Sequence, residues 1–204
     1  VSVPAGDPTP AAAVPATSRG RRRREAVLDA AEQLFLEHGF HGTSVDDLGA
    51  AAGISGPGLY RHFASKDALL MAVLDRIWGQ LRPAIDRAAT QPPDEALDTL
   101  LDAQLELALG QPSALVLLVR ELRHLPEDYR RLADRNHRRY LDAWVDALRR
   151  RAPALDDAEA RGTVMAVHGL IDSVALNPQA RHLPQRRDWL HGLATAVLAR
   201  ATGH

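Results

Sequence analysis

A chain of 204 residues, 46% hydrophobic and 25% charged, has ordinary globular composition and room for one large domain or two smaller ones. It has no cysteine, which excludes disulfides, thiolate chemistry and a zinc ribbon. No stretch approaches the roughly 18 consecutive apolar residues of a membrane span, and the first residues lack the charged start and apolar core of a signal peptide. A cytoplasmic protein without membrane contact is therefore expected. The net charge of −1 rules out a polycation, yet Arg19, Arg21, Arg22, Arg23 and Arg24 concentrate five positive charges in six residues. Such a cluster suits phosphate or another anionic surface, or else a solvated tail.

Residues 1–18 carry four prolines and five alanines and no large apolar residue beyond three valines. They cannot bury enough surface to offset their ordering entropy, so a disordered tail is expected. From there the pattern is helical throughout, and no run alternates with period two. Val27, Leu28, Ala31, Leu34 and Phe35 line one face of a first helix. Gly39 is expected to end it in a left-handed conformation, with Phe40 as the usual capping contact. Thr43 or Ser44 caps a short second helix that has Asp46 and Asp47 in its first turn and Val45, Leu48 and Ala52 on its apolar edge. Gly53 breaks that helix, and Ser55 caps a third over roughly 56–62. Ser65 caps a fourth, whose stripe of Leu69, Leu70, Val73, Leu74, Ile77 and Leu81 is continuous.

Beyond Pro83 the pattern predicts helices near 94–109, 112–124, 127–151, 156–176 and 185–201, about nine helices in all. The run Ala114 to Val119 is apolar on every side, the mark of a helix surrounded by others. It is the expected centre of a bundle of about five helices. The expected organisation is all-α: a tail over 1–18, a first helical domain over 19–65, and a larger helical bundle over 66–204.

Two short helices joined by a tight glycine-containing turn, here Ala52-Gly53-Ile54, describe a helix-turn-helix, whose second helix enters a DNA major groove. The start of the fourth helix sharpens the reading. Lys66, the one lysine in the chain, sits in its first turn, where the helix dipole disfavours a cation. Its placement makes sense if an anion docks there, since free backbone N–H groups and a cation make a phosphate site. Tyr60 and His62 lie close by in sequence as further donors.

The residues Ala30, Leu34 and Phe35, Gly39-Phe40, Thr43-Ser44, Ala52-Gly53-Ile54-Ser55, Leu59-Tyr60-Arg61-His62-Phe63 and Ser65-Lys66-Asp67-Ala68-Leu69 carry a resemblance. Over about 24–74 the chain is similar to the DNA-binding domain of the tetracycline-repressor (TetR) family of bacterial regulators. The resemblance implies a homodimer on a palindromic double-stranded operator, and a divergent C-terminal bundle that binds a small molecule. It implies phosphate contacts for Thr43, Ser44, Tyr60, His62 and Lys66. The start of the recognition helix is unusual, because Gly56, Pro57 and Gly58 offer no bidentate donor to a base edge. Base preference is then expected from Ser55, Tyr60 and Arg61, from backbone approach at Gly56 and Gly58, from the arm arginines, and from DNA shape.

In the bundle, polar residues interrupt apolar stripes. Asn136 falls in line with Tyr129, Leu132, Tyr140 and Trp144, and His168 with Val164, Ile171 and Ala175. Arg120 and Glu121 directly follow the apolar run. Each is either satisfied within the core or orients an effector in a mostly apolar pocket. His137 and Trp144 are further wall candidates, and Met165 reads as core. The expected effector is a largely apolar molecule, with an anionic group meeting Arg120 or His168. The predicted dimer helices are 156–176 and 185–201, the latter through Trp189, Leu190, Leu193 and Val197, with Gly192 and Ala196 allowing close approach.

No cofactor or metal is expected. The glycines fit neither a P-loop nor a dinucleotide fingerprint, no G-x-S-x-G elbow exists, and no two histidines stand four apart on a helix. The reading is a ligand-responsive transcriptional repressor without enzymatic activity. The alternative is a helical small-molecule-binding or enzymatic protein whose helix-turn-helix is purely structural.

Overall fold

The computed structural model describes residues 17–121, 125–177, 179 and 186–202. Among these there are nine helices and no strand: α1 Ser18–Gly42, α2 Val45–Ala51, α3 Gly56–Leu59, α4 Lys66–Ala88, α5 Pro93–Gly110, α6 Pro112–Glu121, α7 Glu127–Arg151, α8 Asp157–Leu176 and α9 Arg186–Ala201. No helix among the described residues is long and apolar enough to cross a membrane. Residues 1–16 of the expected tail lie outside the described residues, as do 122–124 at the expected end of the sixth helix and 185 at the start of the ninth. Thr17 and Ser18, expected in the tail, instead begin the fold. The Thr17 hydroxyl caps α1 by accepting from the Gly20 N–H at 3.1 Å, and Ser18 is its first helical residue.

Helices α1 to α3 form the head. In α1 the buried Val27, Leu28, Ala31 and Phe35 are the apolar face read from the 3.6-residue period. Gly39, at φ 73° and ψ 165°, interrupts the helix in a region that only glycine occupies comfortably, and one further turn follows to Gly42. In α2 the Ser44 side chain accepts from the Asp47 N–H while the Asp47 carboxylate accepts from the Ser44 N–H, a reciprocal capping box. The Ser44 hydroxyl also donates to the Asp47 carboxylate at 2.6 Å, and this bond first, with the Ser44 N–H second, holds the Asp47 carboxyl below its usual range.

The recognition helix is shorter than expected. It stops at Leu59, and residues 60–62 continue as tight turns with Arg61 N–H donating to Gly58 O and His62 N–H to Leu59 O. With a proline and two glycines in its four residues, its helical propensity is too low to extend the run. Its glycines answer a packing need. A Cβ on Gly56 would lie 2.2 Å from Asp46 Oδ1, and one on Gly49 would lie 2.8–2.9 Å from the backbone of Ile54, Ser55 and Gly56. The two helices of the motif therefore touch backbone to backbone.

Helix α4 does not stop at Pro83, as the expected boundary suggested. It runs on to Ala88, because Ala84 and Ala88 continue its buried face. Arg150 of α7 also caps its C-terminal end by donating to Ala88 O at 3.0 Å and Gln91 O at 2.9 Å. The centre of the bundle is α5, not α6: α5 packs against α4, α6, α7, α8 and α9. Its buried Leu97, Leu100, Leu101, Leu105 and Ala108 fill the middle of the core. The ten-residue α6 is too short for that role, and lies across α1, α4, α5 and α8. One continuous apolar core runs from Val27 in the head to Leu198 in α9.

The backbone contact makes Gly49 a sharp test of the head. Alanine is the better helix former by about 1 kcal/mol, yet overpacking at this contact costs about 1–3 kcal/mol. Gly49→Ala is expected to lower the urea unfolding midpoint; an unchanged or raised midpoint would mean that α2 and α3 can separate freely.

Candidate nucleic-acid interface and effector cavity

The outer face of the head presents Ser44, Ser55, Tyr60 and Arg61 to solvent, with Tyr60 53% exposed and His62 half-buried beside them. The exposed Arg19, Arg21 and Arg22 stand at the start of α1. The other two arginines of the basic run serve the head itself. Arg23 Nη1 donates to Ala52 O at 3.3 Å and Gly53 O at 3.4 Å, placing a cation at the C-terminal end of α2. The Arg24 guanidinium lies over the Phe63 ring at 4.3 Å.

Three of the residues expected at DNA face inward. Gly56 is buried against Asp46. Thr43 is 1% exposed, and its hydroxyl lies 2.9 Å from Gly39 O and 3.1 Å from Leu34 O, closing the end of α1. The Lys66 ammonium donates to Phe40 O at 2.8 Å and Thr43 O at 3.0 Å, and sits 4.4 Å from the Phe40 ring centre. A cation in the first turn of a helix is tolerated here because carbonyls closing α1 face it. Gly58 is half-buried over Ser55, whose side chain caps α3 by accepting from the Gly58 N–H.

The same Phe40 is held from its other side. Its N–H donates to the buried Glu121 carboxylate at 3.2 Å, across the end of α6. Glu121, expected in a ligand pocket, is thus a brace between bundle and head. Phe40 is gripped on its N–H by α6 and on its C=O by α4. Further along α4, Arg76 reaches Asp29 at 2.6 Å and pairs with Glu32 of α1.

A cavity of about 690 Å³, open to solvent along one side, enters the bundle. Trp78 and Leu81 of α4, Leu107 of α5, and Leu115 and Leu118 of α6 supply its apolar wall. Glu127, Arg130, Asp134 and His137 of α7 form the exposed rim. The floor is polar and buried. Tyr140 Oη donates to Gln104 Oε1 at 3.0 Å, and Gln104 Nε2 donates to Asp172 Oδ1 at 2.7 Å, linking α7, α5 and α8. His168, one helical turn before Asp172, packs its ring 5.4 Å from Tyr140 and 5.1 Å from Trp144. No described residue hydrogen-bonds its Nε2.

Of the six residues expected to meet a ligand, His137 and His168 line this cavity. Trp144 lies behind the floor, fully buried against His168. Asn136 is half-buried off the wall, Arg120 is exposed, and Glu121 points to the head. Sequence reading missed Gln104 and Asp172. Both carried the signal that revealed His168: Gln104 interrupts the Leu-rich face of α5, and Asp172 stands four residues after His168 on one helix face.

Burial acts on the floor in opposite directions. It pushes the Asp172 carboxyl up to about 6, against the Gln104 hydrogen bond that favours its anion. It pushes the His168 imidazole down to about 4, with His137 adding to the effect. The Tyr140 phenol is raised well beyond its ordinary range, mainly by burial. Near neutral pH the imidazole and phenol are therefore uncharged.

A helix-turn-helix head braced on an all-α bundle with an open cavity defines a structural class, a two-part all-helical protein. The chain belongs to the TetR family. Residues 27–73 match the family model of bacterial regulatory proteins of the tetR family, and residues 90–176 match the tetracyclin repressor-like C-terminal domain, together more than half of the chain. It is 34% identical over 132 residues to the HTH-type transcriptional repressor KstR2 of Mycobacterium tuberculosis, a match covering 62% of this chain and 64% of that protein's length. Two solved structures share the fold at 19% identity. AibR in complex with isovaleryl coenzyme A and operator DNA has a TM-score of 0.72 over 88% of this chain and 98% of its own. The transcriptional regulator FadR of Bacillus subtilis, in complex with stearoyl-CoA, has a TM-score of 0.69 over 87% and 97%.

The floor predicts a compensated pH response. Folded Asp172 keeps its proton where the unfolded chain has lost it, so its contribution to stability falls as pH rises from about 4 to about 6. Folded His168 refuses a proton that the unfolded chain binds, so its contribution rises from about pH 4 to about 6.5. Relative to the parent, Asp172→Asn should gain stability with rising pH across this window, and His168→Gln should lose it. Urea titrations at about pH 4.5 and 6.5 read the difference; identical slopes in all three proteins would mean that neither group titrates as described.

Proposed function

We propose that this protein is a ligand-responsive transcriptional regulator, a repressor that leaves its operator when a small organic effector fills the cavity. It acts as a homodimer in the cytoplasm and performs no catalysis. The working division is a DNA-binding domain over 19–65 and an effector and dimer bundle over 66–204. The observation that carries the proposal is mechanical: the two helices that supply Trp78, Leu81, Leu115 and Leu118 to the cavity wall also supply Lys66 and Glu121 to the Phe40 peptide. A shift of either helix on filling the cavity moves the head. The effector's differential affinity for the two arrangements supplies the energy. KstR2 is a repressor by name, and the AibR structure, which holds isovaleryl coenzyme A and operator DNA at once, bears on DNA and ligand binding rather than on release. Both favour this reading over a cavity-bearing protein with an idle helix-turn-helix.

At the DNA, Ser44, Tyr60 and His62 are the proposed phosphate contacts, and Ser55 and Arg61 face the groove. Arg61 is the one long cationic side chain on this face near α3. Lys66 is proposed to act mainly by bracing the end of α1, so that Ser44 stands at the right height.

The proposed dimer face lies on α8 and α9. Residues Gly162, Met165, Ala166 and Gly169 of α8 are exposed, with Met165 at 66%, and so are Trp189, Gly192, Leu193 and Ala196 of α9. The α9 stripe divides between two faces, since Leu190 turns into the core with Ala194 and Leu198. Met165, which read as core, belongs to the outer face.

Selection of bound sequences from a random DNA pool tests the function; it should return a palindrome with half-sites about one helical turn apart. Failure to enrich any sequence would refute the regulator reading. Leu118→Trp, which partly fills the cavity far from DNA, should then change affinity for the selected site by about tenfold, a coupling of ordinary size. Unchanged affinity in the folded variant would break the proposed link. Trp189→Glu should convert the dimer to a monomer in light scattering and weaken operator binding; a dimer of unaltered affinity would place the interface elsewhere.

A further inference from the structure

We propose that the cavity floor receives the hydrogen-bond-donating end of the effector, an ammonium or hydroxyl group, and selects against an anionic end. This rests on reading the cavity as the effector site, and it reverses the expectation of an anionic group at Arg120 or His168.

A census of the floor shows which partner is lacking. The Tyr140 hydroxyl donates to Gln104, and Gln104 donates to one oxygen of Asp172. The floor's donors are thus largely engaged with one another. What remains open is the second oxygen of Asp172, an acceptor, and the Nε2 of the buried His168 imidazole, which lacks a described partner and pairs with a hydroxyl in either tautomer. A buried acceptor without a donor is costly, and a ligand that supplies the donor recovers that cost.

Charge points the same way. Among the described residues, the cavity lining holds Glu127, Asp134 and Asp172 and one guanidinium, that of Arg130, which is itself paired with Glu127 on the rim. No described cation lies against Asp172; the one neighbour that favours its ionised form is the Gln104 amide. His168 cannot substitute as a cation, since burial holds it neutral. A carboxylate or phosphate brought to the floor would meet Asp172 in a poorly screened site with nothing to neutralise it. A plain hydrocarbon terminus would leave the Asp172 oxygen and the His168 Nε2 desolvated and unpaired. An ammonium or hydroxyl on an apolar body satisfies the floor while the body lies against Trp78, Leu107, Leu115 and Leu118.

The test uses the full chain and a series with one apolar body: decylamine, 1-decanol, methyl decanoate and decanoic acid, with affinities measured by calorimetry near neutral pH. The expected order is amine, alcohol, ester, acid, with at least about a tenfold span between amine and acid, the size of one hydrogen bond to a charged group. Asp172→Asn should collapse the advantage of the amine while the alcohol still binds. His168→Leu should weaken the alcohol. The order within the parent protein is decisive even if a variant fails to fold. Decanoic acid binding as tightly as the amine, an amine advantage that survives Asp172→Asn, or no measurable binding of any member would each overturn the inference. The effector reading fails separately: probes that bind in the expected order without altering affinity for the selected operator would uphold the donor-seeking floor and reject its regulatory role.

Discussion

One residue, Phe40, ties the head to both helices that wall the cavity through its own main-chain groups. A carboxylate from the end of α6 takes its N–H and an ammonium from the start of α4 takes its C=O. Both contacts are charge-assisted, and a buried charge that loses its partner is destabilising out of proportion to the single bond lost. The grip explains why Gly39 must interrupt α1 just before it, since the backbone has to turn to present both groups. It also explains a lysine in a helix position that electrostatics disfavours. The head is not hinged on a flexible linker; it is bolted to the two helices that wall the cavity.

How much of this was legible in the sequence depends on the range of each interaction. The helices were readable because apolar period, caps and breakers act within a few residues of one another. The boundaries of α5, α7 and α8 fall within a residue of those read from the pattern. Pro83 misled because helix breaking is a local preference, whereas Ala84, Ala88 and the Arg150 cap are tertiary. The central helix was misassigned for a similar reason. An all-apolar run identifies burial but not how many neighbours supply it, and α6 is simply too short to be the axis.

Site residues divide along the same line. Ser44, Tyr60 and Arg61 are exposed, as short-range motif spacing predicts. Thr43, Lys66 and Glu121 looked like ligands of something external, yet their partners are backbone groups of the chain itself, up to 81 residues away. Polar residues in unexpected places announce a partner without naming it. The cavity floor teaches the complementary lesson: Gln104 and Asp172 had equal claim to attention as His168, and only their convergence from α5 and α8 turns three isolated anomalies into one polar site.

The backbone contact between Gly49 and the start of α3 has a consequence for how this protein evolves and signals. Side-chain interfaces absorb small displacements through rotamer changes, whereas an interface of main chain on main chain has no such slack. Helices α2 and α3 therefore form a single rigid blade. In the proposed regulator such a blade would have little room to reorient its second helix, and a displacement of α1 would reach the exposed Ser55, Tyr60 and Arg61 with little loss. Variation in what the head contacts would then be left to those protruding side chains, because the main chain beneath them admits almost none.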